Sequence, residues 1–112
     1  MSAMLDPDAF SVTAKPNGTC VILEVSGELD TCNAPLLAAE LESRDGANPC
    51  LVIDLSEVTF IDSTGLHTLA RACEEHGARI ACPPGNVRRV FEVVSFSKIC
   101  PIHESLEDAL AD

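Results

Sequence analysis

The sequence predicts an α/β domain built on a mixed, mostly parallel β-sheet. Three observations carry this reading. Short apolar, β-branched runs alternate with segments whose apolar residues recur at i, i+3, i+4 and i+7. The first two runs flank Pro16-Asn17-Gly18, a strong hairpin signal. Of the 112 residues, 46% are hydrophobic, enough to build a core without disulfides or metal. The element order reads ββαβαβαβα: an N-terminal hairpin, then strands alternating with about four helices that pack the sheet. One domain is expected over residues 1–112, with its core at about 10–110.

The first strand follows from Phe10, Val12 and Ala14 alternating with Ser11, Thr13 and Lys15. A second strand is expected over Cys20–Val25 and is broken by Gly27. In the next segment Ala34, Leu37, Ala38 and Leu41 form one helical stripe. Thr31 or Asn33 can cap it, and Pro35 is tolerated in its first turn. Arg44–Pro49 reads as the loop that ends this helix.

The short apolar run Cys50–Ser56 is expected to be a central strand buried on both faces. Leu66, Leu69, Ala70 and Cys73 then mark a second helix, and Gly77 stops it. Ala78–Cys82 reads as a strand and Pro83–Asn86 as a loop. A third helix carries Val87, Val90, Phe91 and Val94 at the same spacing. A short strand falls within Lys98–His103, and Ser105 opens the last helix with Asp108 in a variant capping box.

Eighteen acids against seven Lys and Arg give a net charge of −11. That field repels phosphate backbones and anionic lipid, so direct nucleic-acid binding and membrane binding are not expected. No apolar run approaches membrane-spanning length, and the N-terminus lacks a basic start followed by an export segment. A cytoplasmic chain is therefore expected. Its six cysteines include no C-x-x-C pair, which argues against a zinc knuckle or a redox dithiol. They are expected to be reduced and to serve as small core residues. No metal or cofactor is expected either, since no Gly-rich phosphate loop or metal-ligand spacing is present.

The strongest site-like stretch is Asp62-Ser63-Thr64-Gly65, between a strand and a helix. Open α/β sheets place functional sites at this edge. Ser63 can be a helix cap, a nucleophile or a modified residue. The nucleophile elbow needs a glycine where Ile61 stands, and no histidine is clearly brought to Ser63. A serine at a helix start also suits phosphorylation, because the helix N-terminus tolerates negative charge. The modification adds about −1.5 to −2 charges, which alters docking without refolding the domain.

Two segments, Gly27-Glu28-Leu29-Asp30 and Asp54-Leu55-Ser56 through Asp62-Ser63-Thr64-Gly65-Leu66, together resemble the STAS domains of anti-sigma-factor antagonists. The resemblance extends from about Val12 to Leu110. It implies a non-enzymatic regulator whose unphosphorylated form binds an anti-sigma factor that is also a serine kinase, and so releases the sigma factor. Phosphorylation of Ser63 would abolish binding, and a serine phosphatase would restore it. The resemblance further implies a docking face of Asp30, Thr31, Asn33, Asp62, Ser63, Thr64 and Gly65. His67 stands where many relatives carry a small residue, and is expected to influence partner choice. The alternative implied role is a STAS subunit of a transporter or signalling assembly.

Overall fold

The computed structural model describes residues 10–44 and 50–111. The five strands are β1 (Ser11–Asn17), β2 (Cys20–Leu29), β3 (Cys50–Ile61), β4 (Arg79–Ala81) and β5 (Ile102–His103). The helices are α1 (Ala34–Glu42), α2 (Ser63–His76), α3 (Asn86–Val93) and α4 (Leu106–Ala111), with a 3₁₀ turn at Phe96–Lys98. The strands lie in the sheet in chain order. β1 and β2 are antiparallel, and every later pairing is parallel. This is the expected single α/β domain with an N-terminal hairpin. The expected loop after α1 falls largely on residues 45–49, outside the described residues.

The hairpin turns on Gly18 and Thr19, with Asn17 paired to Cys20. Gly18 has φ +61°, the left-handed conformation that glycine adopts without penalty. Pro16 sits inside β1, which is permitted on an edge strand. β2 does not stop at Gly27. It shifts register near Ser26 and again between Gly27 and Glu28, then continues to Leu29. The irregularities absorb the glycine, whose φ is +100°, and carry the strand toward the end of β3. β3 is likewise longer than the expected Cys50–Ser56. Only its first half is buried on both faces, through Leu51, Val52 and Ile53.

Alternation along the strands divides the core. Leu23, Val25, Leu51, Ile53 and Leu55 join Leu37 and Leu41 of α1, Leu69 and Ala72 of α2, and Val87 and Phe91 of α3. Val52 and Ala81 face the other way and pack with Ala109, Leu106 and Leu110 of α4. Ser105 caps α4 as expected, its Oγ accepting the Asp108 N–H at 3.1 Å. The α2 stripe is rotated slightly from the expected one. Gly65, Leu69 and Ala72 are fully buried, while Leu66, Ala70 and Cys73 are only partly covered. Val94 is not a core residue. α3 ends at Val93, the chain turns through Ser95 at φ 55°, and Val94 is left half-exposed.

The cysteine expectation needs correction. Cys20 and Cys50 are register partners at the start of neighbouring strands, with Cα atoms 4.4 Å apart, and form a disulfide. Cys73 of α2 is bonded to Cys100, just after the 3₁₀ turn, across a Cα separation of 5.7 Å. Both separations lie within disulfide reach. Only strand register and helix packing bring these residues together, so their sequence spacing does not announce them. Cys82 is the buried thiol that was expected, and burial pushes its pKa up to about 11. Cys32 is exposed instead of lying in the core.

Alkylation of unreduced protein should therefore label Cys32 in the native state, and Cys32 and Cys82 after denaturation. All six cysteines should react once the denatured chain is reduced. Mass spectrometry counts the adducts, and each pair should contribute about 2–4 kcal/mol to stability.

Candidate functional site

The parallel strands β2 and β3 end side by side, so the loops that follow them are neighbours. The β2–α1 loop contains Asp30, Thr31, Cys32 and Asn33. The β3–α2 junction contains Asp62, followed by Ser63, Thr64 and Gly65 in the first turn of α2. The Asp62 backbone N–H donates to the Leu29 carbonyl at 3.3 Å, extending the β2–β3 contact to the junction.

Asp62 is the residue around which the loops are organised. Its extended backbone makes it the N-cap of α2. Oδ1 accepts the Gly65 N–H at 3.0 Å. Oδ2 accepts the Thr31 N–H at 3.0 Å and the Thr31 hydroxyl at 3.2 Å. The Thr31 and Thr64 hydroxyl oxygens are 3.1 Å apart. Because Thr31 gives its proton to Asp62, Thr64 is the donor in that contact. One carboxylate thus caps a helix and ties down a loop 31 residues earlier in the chain. The Gly65 N–H, followed by the Thr31 and Thr64 donors, holds the Asp62 carboxyl below its ordinary value of 3.8.

The β2–α1 loop has its own internal support. Asp30 Oδ1 accepts the backbone N–H groups of Cys32 and Asn33, each at 3.0 Å. The Asp30 carbonyl accepts the Ala34 N–H at 2.7 Å. Asn33 donates its side-chain amide to the Glu28 carbonyl at 2.9 Å. Neither Thr31 nor Asn33 therefore caps α1 through its side chain, contrary to expectation. Asn33 occupies the N-cap position without a side-chain cap bond, and Thr31 is committed to Asp62. Asp30 supplies the turn instead.

Gly65 has a packing role. A Cβ there would press against the Leu29 carbonyl oxygen and lie 2.9 Å from Ile61 Cγ1. The first turn of α2 rests directly on the end of β2, and a glycine permits that approach.

Ser63 is the exposed first residue of α2. Its hydroxyl has no hydrogen-bond partner among the described residues. His67 is exposed on the next turn of the same helix, and His76 ends the helix. The capping alternative is resolved in favour of Asp62. Asp30, Thr31, Asn33, Asp62, Thr64 and Gly65 form one connected structure, with Ser63 at its surface and His67 one turn beyond. Sequence reading missed the Thr31–Asp62 tie, which joins distant segments and leaves no local pattern. It also missed Leu36 and Phe60, exposed apolar residues in the first turn of α1 and near the end of β3.

This is a small α/β domain in which a pair of cross-tied loops presents an exposed serine at a helix start. The chain belongs to the STAS-domain family, whose sequence pattern matches residues 11–109. It is 33% identical to the anti-sigma-F factor antagonist RsfB of Mycobacterium tuberculosis, across 96% of this chain and 92% of that protein. A crystal structure of an anti-sigma factor antagonist from Mycobacterium paratuberculosis superposes with a TM-score of 0.86 at 32% identity, covering 95% of each chain. The antagonist SpoIIAA in its unphosphorylated form shares the fold, with a TM-score of 0.64 at 21% identity over 93% of this chain and 96% of that one. Its phosphorylated form, from Bacillus, superposes with a TM-score of 0.60 at 20% identity, over 92% and 97%.

Two substitutions test the construction of the site. Gly65→Ala should lower stability by about 1–3 kcal/mol in denaturant titration, because the added methyl meets backbone. Asp62→Asn should also be less stable than the parent. Since folding lowers the Asp62 pKa, its contribution is present above the ordinary value of 3.8 and is lost as pH falls through the depressed folded value. The stability gap between parent and variant should therefore narrow as melts are taken from pH 6 to increasingly acid solution.

Proposed function

We propose that this chain is an anti-sigma-factor antagonist switched by phosphorylation of Ser63. The observation that carries the reading is an exposed, unbonded serine hydroxyl beside two loops held rigid by Asp62 and Thr31. The names of similar relatives support the antagonist role, and the phosphorylated form of SpoIIAA supports a phosphate switch on this fold.

The docking surface consists of Asp30, Thr31, Asn33, Asp62, Ser63, Thr64, Gly65 and His67. Its partner is an anti-sigma factor that is also a serine kinase, and binding frees the sigma factor in the cytoplasm. Phosphorylation needs no movement of the fold, because the Ser63 side chain holds nothing in place. It adds about −1.5 to −2 charges at the centre of the face, and docking would have to desolvate them. A serine phosphatase then returns the protein to its binding form.

The chain needs no catalysis of its own for this role. Among the described residues, no histidine or carboxylate hydrogen-bonds the Ser63 hydroxyl, as an activated nucleophile would require. The disulfides lie at the opposite end of the elements that carry the site. Cys20 and Cys50 begin β2 and β3, whereas the docking loops follow the ends of those strands. The switch therefore does not depend on the oxidation state of that pair.

Incubation with the cognate kinase and ATP should add a single phosphate, located at Ser63 by mass spectrometry. Ser63→Ala should bind the kinase but accept no phosphate, and Ser63→Asp should bind at least about tenfold more weakly, equivalent to ~1.4 kcal/mol. A phosphate on another residue, or none, would overturn the switch.

A further inference from the structure

We propose that His67 is the intramolecular counter-charge of phosphorylated Ser63, holding the phosphate along α2 and over the docking face. The inference rests on the phosphorylation switch above and assigns a device that regulates it. Ser63 and His67 are four residues apart on α2, both are exposed, and residues at this spacing lie on one helix face with Cβ atoms about 5–6 Å apart. A helical side chain leans toward the N-terminus, so the imidazole of residue 67 extends toward position 63. An anion N-terminal to a cation at this spacing is also the favourable order.

The surroundings leave the pairing to His67. Its imidazole has no hydrogen bond or ion pair among the described residues. The next cation on α2, Arg71, is a further turn away and is held by Glu75 through contacts of 3.1 and 3.4 Å. Glu42 of α1 and Arg71, Glu75 and His76 of α2 line the same groove as His67, and are the charged and titratable groups around it. At the other end of the turn, Asp62 has committed its carboxylate to Thr31 and Gly65. It repels a phosphate on Ser63 and occupies the Gly65 N–H, which is therefore not open to one.

The consequence is positional. Without a counter-charge, a dianion on the exposed first residue of a helix can swing into solvent. Paired to His67, it is drawn along α2 and covers the first two turns. His67 is thus a positioning residue in the phosphorylated form and a contact residue in the unphosphorylated form. A phosphate monoester loses its second proton near about pH 6. A neighbouring imidazolium favours the dianion and lowers the midpoint of that ionisation.

The test uses full-length protein carrying phosphoserine at position 63, introduced by semisynthesis so that no kinase is needed. The phosphate is titrated by phosphorus NMR in the parent sequence and in His67→Gln and His67→Arg. His67→Gln should raise the midpoint by about 0.1–0.4 units, and His67→Arg, a permanent cation, should keep it at or below the parent value. Equal midpoints in the parent and His67→Gln would overturn the pairing. Thermal melts of each variant establish that it is folded during the titration. A shifted midpoint in protein that the kinase does not phosphorylate at Ser63 would uphold the pairing and overturn the switch.

Discussion

The geometry of the proposed docking face depends on the division of one carboxylate between two tasks. Asp62 follows the last residue of a strand, caps the following helix and holds Thr31 from a loop 31 residues earlier. Without it, the Gly65 N–H at the helix start and the Thr31 N–H in the loop would each need another partner. The Thr31–Thr64 contact would lose the acceptor that orients the Thr31 hydroxyl. Because Asp62 takes these duties, the residue that follows it is released from them. Ser63 can carry a partner contact or a modification because its neighbour does the capping.

Close backbone contact reinforces the same junction. Gly65 lets the first turn of α2 settle on Leu29, and the Asp62 N–H reaches the Leu29 carbonyl. The end of β2 is therefore the floor of the site, and its two register irregularities are part of how the floor is positioned. The molecule is fastened differently at its two ends. Cys20 and Cys50 clip the starts of β2 and β3 covalently, while hydrogen bonds to one acid hold the loops beyond their ends. The first kind of tie resists pH and the second resists reduction.

Much of this was legible in the sequence, for identifiable reasons. Alternation through Phe10–Lys15 and the Pro16-Asn17-Gly18 signal specify the hairpin, because strand period and turn chemistry are local, although the turn itself falls on Gly18 and Thr19. Helical spacing in Ala34–Leu41 and Leu66–Cys73 specifies helices between strands, and that alternation implies a parallel sheet. Asp62-Ser63-Thr64-Gly65 was legible as a helix start but not as a tie, since Thr31 reaches Asp62 only after β2 and β3 pair. Asp30, Thr31 and Asn33 can each satisfy a turn, and tertiary competition for Thr31 decided among them. The cysteine pairs were hidden for a similar reason: Cys20 meets Cys50 through register, and Cys73 meets Cys100 through packing. Val94 continues the apolar spacing of α3, yet the helix ends before it and the spacing ceases to matter.

The order of strands across the sheet, identical to their order along the chain, bears on how the protein is made. Each new strand joins the one just completed, so the sheet can grow outward from its first hairpin as the chain emerges. The proposed docking face does not mature at the same pace. Its halves come from the ends of β2 and β3, separated by the whole α1 crossover, and they meet only when that loop has closed. A nascent or partly unfolded chain can contain Ser63 and still lack the surface around it. On the proposed function, partner recognition would be coupled to completion of the fold, and an unfinished copy would not compete with finished ones.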